Sequence, residues 1–231
     1  MTSPSSSDRK QLPPGKRIPL ILKRLGKQHQ IPAHARRLPL LDSLVLTVLS
    51  QNTNDGNSGR AFAQLKARFP TWEAARQAPR RQVAQAIRVG GLAEIKSGRI
   101  QEILRRIRQE RGKLDLEFLR KMDVEEARAY LLSLPGIGRK TAAVLMLFQL
   151  DLPVFPVDTH IHRVSKRLGL IPPKANAERA HDLFDEMLKP KQMFPLHVGL
   201  ITHGRRVCSA QRPRCPECAL LDLCPQVGVE T

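Results

Sequence analysis

Acidic residues are scarce in this chain of 231: 21 Asp and Glu stand against 39 Lys and Arg, a formal net charge of +18. A surplus that large predicts a polyanionic partner, with nucleic acid ahead of an anionic membrane or a basic tail alone. The competing reading is a basic enzyme with no such partner. Long hydrophobic runs are missing too. None approaches the roughly 20 apolar residues that a membrane span needs. The N-terminal "MTSPSSSDRKQLPPGKR" has no apolar core of a secretory signal. Its Ser, Pro and charge content predicts a disordered basic arm over residues 1–17. Cysteine is absent from the first 207 positions, which excludes a disulfide framework stapling distant parts of the chain. No convincing strand, β-hairpin turn or internal repeat is present.

What is present reads as helix. "RIPLILKRLGK" puts Ile18, Ile21, Leu22 and Leu25 on one face, and "LDSLVLTVLS" is apolar all round, so buried. "LAEIKSGRIQEILRRIRQE" predicts a stripe of Ile95, Ile100, Ile103, Leu104 and Ile107. "DVEEARAYLLSL" opens with an acidic turn, which suits the positive end of a helix dipole. "PVFPVDTHI" is briefly β-like, but its two prolines predict a linker. The fold class expected is all-α, in one large or two small domains.

All four cysteines fall in "CSAQRPRCPECALLDLC": Cys208, Cys215, Cys218 and Cys224, spaced C-x6-C-x2-C-x5-C. Four clustered thiolates suit tetrahedral zinc or an iron–sulfur cube. Zinc sites usually pair two close knuckles, and only one close pair exists here, so the wide outer gaps favour the cube. A disulfide pair or free thiols are the remaining readings. Arg212 and Arg214 lie between the first two cysteines, just after Arg205 and Arg206. They are either phosphate contacts or solvated surface charge.

"LPGIGRKTA", Leu134–Ala142, joins two helical patterns through Gly136, Ile137 and Gly138, followed by Arg139 and Lys140. It is not a phosphate-binding P-loop, because Arg139 replaces the glycine before the lysine and the preceding segment is helical rather than a strand. Gly136 and Gly138 can take φ > 0, and the free amides at the second helix's start suit a phosphate. The alternative is a plain helix–helix turn; the net charge favours the phosphate. Lysines prefer the other end of a helix. A lysine is nucleophilic only when neutral, and Arg139 and the positive helix end both disfavour its charge. Asp158, eighteen residues on in "VDTHIHR", caps a following helix, acts as a catalytic carboxylate, or does both.

Taken together, "LPGIGRKTA", "VDTHIHR" and the cysteine spacing resemble the endonuclease III family of helix-hairpin-helix DNA glycosylases with AP lyase activity. The likeness reaches upstream to "LSQNTND" and "GGLAEIKS" and covers roughly residues 18 to 225. It implies two helical lobes with a DNA cleft between them: a six-helix barrel with the hairpin over 33–152, and an iron–sulfur lobe from 18–32 and 153–231. The four cysteines would hold a [4Fe–4S] cluster. Lys140 matches the lysine that attacks C1′ and forms a Schiff base, and Asp158 the aspartate that assists base departure and later proton transfers. Leu92 matches a wedge inserted into the base stack. Asn52 stands where many relatives carry glutamine to fill the vacated space, and Ala93 where some carry a larger residue. The implied partner is double-stranded DNA with damaged bases or abasic sites, acted on by a cytoplasmic, nucleoid-associated monomer. Oxidised pyrimidines such as thymine glycol are the implied substrates. A monofunctional mismatch glycosylase and a non-catalytic DNA-binding module are the rival readings; Lys140 argues against the first, and Lys140 with Asp158 against the second.

Overall fold

The computed structural model describes residues 10–229, and among these it contains helices and no strand. The α-helices are α1 (Pro14–Gln28), α2 (Leu40–Ser50), α3 (Asp55–Arg68), α4 (Trp72–Gln77), α5 (Arg80–Ala86), α6 (Ala93–Arg111), α7 (Val124–Ser133), α8 (Arg139–Gln149), α9 (Thr159–Arg167), α10 (Ala177–Met187) and α11 (Pro190–Arg206). The chain divides into two compact units, Arg36–Asp151 and the remainder on either side of it.

Two expectations change at this level. The expected disordered arm, 1–17, is too long: α1 starts at Pro14, whose ring presets the first helical φ, and Arg17 is already buried. The first nine residues of the arm lie outside the described residues. The Arg36–Asp151 unit holds seven α-helices, α2 to α8; Ala78 precedes Pro79 and turns extended (ψ 150), which separates α4 from α5. On α6, Ile95 is 49 % exposed and does not join Ile100, Ile103, Leu104 and Ile107 in the core. Five residues from Ile95 to Ile100 rotate a helix by about 140°, so the two cannot share a face. The position that does share it is Lys96, four residues before Ile100 and 1 % exposed.

In the Arg36–Asp151 unit α2 is the centre. Leu40, Leu41, Leu44, Val45, Val48 and Leu49 are all buried, and α2 packs on α3, α6 and α8. A helix covered on every side needs no polar face, which is why its sequence is apolar all round. The two ends of this unit are tied at Gln149. Its side chain accepts from the Leu38 amide at 3.0 Å and donates to the Arg36 carbonyl at 3.2 Å, while Arg37 Nη1 donates to the Gln149 carbonyl at 2.6 Å.

In the other unit α11 packs on α9 and α1. A Cβ on Gly199 of α11 would lie 2.9 Å from Leu25 Cδ1 of α1, so the helices approach there only because that side chain is absent. Two arginines of α1 reach the C-terminal segment. Arg17 donates to the carbonyls of Leu168 and Gly169 at 2.6 Å each and of Leu223 at 3.2 Å. Arg24 makes a two-pronged pair with Asp222 and donates to the Ala219 carbonyl at 3.0 Å.

The segment from Pro153 to Asp158 is irregular, as its prolines predict, yet Val154, Phe155, Val157 and Asp158 are buried. A buried stretch without helix or sheet must find partners for its backbone elsewhere. The Phe155 amide donates to Asp185 Oδ1 at 2.7 Å. Buried His181 and His197 bond through Nδ1 to the carbonyls of Phe155 (2.8 Å) and Pro156 (3.0 Å). α10 and α11 thereby fix the strip of chain that delivers Asp158.

Candidate active site and nucleic-acid interface

In the Arg36–Asp151 unit, α7 begins with a full capping box: Asp123 accepts from the Glu126 amide, and Glu126 accepts from the Asp123 amide. It ends at Leu134, and Leu134 and Ile137 bury their side chains on either side of the turn. Gly136 has φ 74, a left-handed conformation that strongly favours glycine. Gly138 differs from expectation. It is extended (φ −93, ψ 175) and serves as the N-cap of α8. Its value lies in having no side chain: a Cβ there would meet nothing within 4 Å, so the approach to the helix start is open. α8 has no side-chain cap and no acid in its first turn. The start of α8 therefore lies at the positive end of the dipole with no side chain capping it. Arg139 is the first residue of this turn and exposed Lys140 the second, while Thr141 and Ala142 behind it are buried.

Three further loops are bonded to this hairpin. Gln51, just after α2, donates from Nε2 to the Gly136 carbonyl (3.1 Å) and to Thr141 Oγ1 (3.3 Å). Arg99 of α6 lies over Gly136 and donates from Nη1 to Gln51 Oε1 at 3.2 Å. Exposed Asn52 comes next, with φ 52, and Leu92, at the start of α6, has φ 50 and is 50 % exposed. Lys96 Nζ donates to the carbonyls of Leu49 (2.7 Å) and Gly90 (2.8 Å), joining the two loops that carry Asn52 and Leu92. Burial lowers the Lys96 pKa from its ordinary value. So Gly136, Ile137, Gly138, Lys140, Asn52 and Leu92 are held in one bonded set within this unit. Gln51, Arg99 and Lys96 supply the bonds, and none of the three is a residue the motifs single out. For Lys96 the signal was present: a lysine on the apolar stripe of α6.

In the other unit Asp158 is the N-cap of α9, with Oδ1 accepting from the Ile161 amide at 2.7 Å, and it is 8 % exposed. α9 also carries the anchors of the cysteine loop. Arg163 Nη2 donates to the carbonyls of Gly204 (2.8 Å) and Cys208 (2.9 Å). Arg167 donates to Cys208 Sγ (3.3 Å) and to the carbonyls of Ser209 (2.6 Å) and Ala210 (2.8 Å).

All four cysteines are free thiols and line one cavity, shared with Arg167, His203 and Val164. Among the described residues no three Cys, His, Asp or Glu side chains are grouped as a single metal ion requires. Tetrahedral zinc would need sulfur bonds of about 2.3 Å. The sulfurs receive N–H donors of the kind that support bound thiolates: Leu220 N to Cys218 and Gln226 N to Cys224, both 3.4 Å, besides Arg167. Burial pushes the Cys224 thiol up to about 11 and Cys218 in the same direction, so thiolate here calls for a bound cation. Buried His203 lies against Cys218 Sγ at 3.5 Å and His29 at 3.4 Å, and burial, then His29, pushes its pKa down to about 4.

Arg205, Arg206, Arg212 and Arg214 beside this loop are all exposed; Arg214 also pairs with Glu217 at 3.2 Å and donates to the Arg206 carbonyl.

These features have counterparts in known proteins. Residues 45–190 match the family described as "HhH-GPD superfamily base excision DNA repair protein", well over half the chain. A putative DNA glycosylase of Arabidopsis thaliana is 40 % identical over 194 residues, covering 82 % of this chain but only 66 % of that protein, just under two thirds of its length. Endonuclease III of Sulfolobus acidocaldarius is 32 % identical over 184 residues, 79 % of this chain and 80 % of the relative. A solved structure of a trapped endonuclease III–DNA covalent intermediate superposes with a TM-score of 0.77 at 28 % identity, over 92 % of this chain and 96 % of that one. The chain therefore belongs to the HhH-GPD superfamily of base excision DNA repair proteins, as an endonuclease III-like member.

Proposed function

We propose that the protein is a bifunctional DNA glycosylase and AP lyase that removes oxidised pyrimidines, such as thymine glycol, from double-stranded DNA. The observation that carries this reading is the exposed Lys140 at the start of α8, which has no side-chain cap, two residues beyond the open Gly138. C1′ is inaccessible inside a duplex, so the damaged nucleotide must leave the stack at a cost of a few kcal/mol. The α8 amides, with the surrounding arginines, grip phosphates and offset that cost. Leu92 enters the stack and Asn52 faces the space left behind.

The Lys140 amine forms a bond to C1′ as the bond from C1′ to the base breaks. Asp158 assists that departure and the later proton transfers. The sugar ring opens and the adduct becomes an iminium, which acidifies the C2′ proton. Loss of that proton breaks the bond from C3′ to the phosphate oxygen, cutting the strand 3′ to the lesion. Water then hydrolyses the imine and frees Lys140.

The four cysteines suit a [4Fe–4S] cluster, held in the cavity that they line together. When bound, it would cross-link four positions of the C-terminal loop and present the loop's arginines; no redox step is needed. Brown protein with stoichiometric iron and sulfide supports the cluster, and bound zinc alone overturns it.

Borohydride trapping tests the lyase. Intact protein incubated with abasic-site DNA gives a covalent adduct, and Lys140→Ala gives none. No adduct from the intact protein overturns the reading, and base release without an adduct points instead to a monofunctional glycosylase.

A further inference from the structure

The ammonium of Lys96 is almost wholly buried, 1 % exposed, and among the described residues it has no carboxylate partner. Burying a lysine is costly, so its two bonds must serve something. They run to Leu49, in the last turn of α2, and to Gly90, the last residue of a short 3-10 helix, Arg88–Gly90. Carbonyls at helix ends lack intrahelical partners, and a cation is the favoured group there. Lys96 thus caps two chain segments at once with one charge.

The residues just beyond the two carbonyls give these bonds their meaning. Of the four non-glycine residues with positive φ among the described residues, one is Asn52, three residues after Leu49, and one is Leu92, two after Gly90. A side chain in the left-handed region costs of order 1 kcal/mol and persists only where the surroundings hold it. Leu92 is moreover half exposed, so its own packing holds it less than a core residue's would. The α6 backbone contributes one further bond, Lys96 N to the Leu92 carbonyl at 2.9 Å.

We propose that Lys96 is a positioning residue: its ammonium pins the Leu49 and Gly90 carbonyls together and so sets the spacing of Asn52 and Leu92, the two side chains offered to the opened base stack. This rests on the proposed role of those side chains in nucleotide extrusion. The geometry assigns Lys96 no contact with the reacting atoms.

The test compares a step that needs extrusion with one that does not. Lys96→Met keeps the length of the side chain and removes its donors. With helicity by circular dichroism unchanged, base release from duplex DNA containing thymine glycol should fall at least tenfold in single turnovers. Borohydride adduct formation on a single-stranded abasic oligonucleotide, which has no stack to open, should stay within twofold. A 2-aminopurine opposite an abasic site should brighten with the intact protein and less with the variant. Duplex base release within twofold of the intact protein overturns the proposal, and so does an equal loss in both assays. Should Lys96→Met lose its helical signal, Lys96→Leu, which also lacks donors, is read by the same ratio. If the intact protein traps on neither DNA and leaves 2-aminopurine dark, the glycosylase reading itself has failed, and the role of Lys96 falls with it.

Discussion

Two helices of this protein start in opposite ways. α8 starts from Gly138, with no side-chain cap, no first-turn acid and open space where a side chain would stand. α9 starts from Asp158, whose carboxylate occupies the helix end and is itself nearly buried. Each helix N-terminus attracts an anion. In α9 the chain supplies that anion; α8 has no side-chain cap. The first arrangement gives a fixed carboxylate; the second, on the proposed function, is a socket for a phosphate beside Lys140.

Removing the groups that distinguish the two helices should have the largest effects. Lys140→Ala should abolish the borohydride adduct. Asp158 separates into two roles by choice of substitution. Asp158→Asn keeps an acceptor for the Ile161 amide, and asparagine is as good an N-cap as aspartate, so stability should change by less than about 0.5 kcal/mol. Base release should nevertheless fall a hundredfold or more, because the carboxylate is gone. Asp158→Ala should lose the same activity and roughly 1 kcal/mol of stability besides. Urea melts beside single-turnover rates check both. Equal activity of Asp158→Asn and the intact protein would reduce Asp158 to a cap.

A second substitution makes α8 resemble α9. Gly138→Asp meets no steric obstacle, since the backbone is already extended and the Cβ position is clear. The new carboxylate should cap α8 and stabilise the protein by a few tenths of a kcal/mol to about 1 kcal/mol. It should also fill the phosphate socket with like charge and weaken duplex binding about tenfold. Thermal melts and fluorescence anisotropy should therefore move in opposite directions. Gly138→Asp with unchanged affinity would mean that the open helix end is not a phosphate site.

The two helix starts are unequally legible in the sequence. Gly-X-Gly before an apolar run marks the hairpin, and the Lys140–Asp158 spacing marks the chemistry, because both depend on residues near each other in the chain. Even there, the positive φ belongs to Gly136 alone; Gly138 contributes by leaving space, which no local rule distinguishes from a turn glycine. The support of Asp158 is not legible. The strip before it is fixed by His181 and His197, which bond to carbonyls 26 and 41 positions away, and neither histidine stands in a motif. Lys96 misleads for a different reason. A lysine in an otherwise charged helix reads as surface, yet it stands on the face of Ile100, Ile103 and Ile107, while Ile95 projects outward. Strict 3.6-residue counting puts Lys96 on that face and takes Ile95 off it, and what Lys96 bonds to still depends on tertiary contacts.

The smallest effects should come from the arginines of the cysteine loop, which carry the same contrast between an internal anion and an available site. Arg214 is already paired with Glu217, and both side chains are largely exposed, so the pair adds little to stability. Its effect is on availability: a guanidinium facing a carboxylate is a weaker phosphate ligand than one facing water. Among the described residues Arg212 is engaged through its carbonyl, by Ser209 Oγ at 2.5 Å. Arg212→Ala should therefore weaken duplex binding severalfold and lower the salt slope of log K by about 1, the release of one phosphate contact. Arg214→Ala should change affinity less than Arg212→Ala does. Glu217→Gln should tighten binding by freeing Arg214, an effect that disappears in the Arg214→Ala background. Anisotropy titrations across a range of salt measure all four proteins. If Arg214→Ala proves the more damaging change, the carboxylate orients Arg214 toward DNA instead of occupying it, and an anion supplied by the chain would then serve binding here much as Asp158 is proposed to serve chemistry.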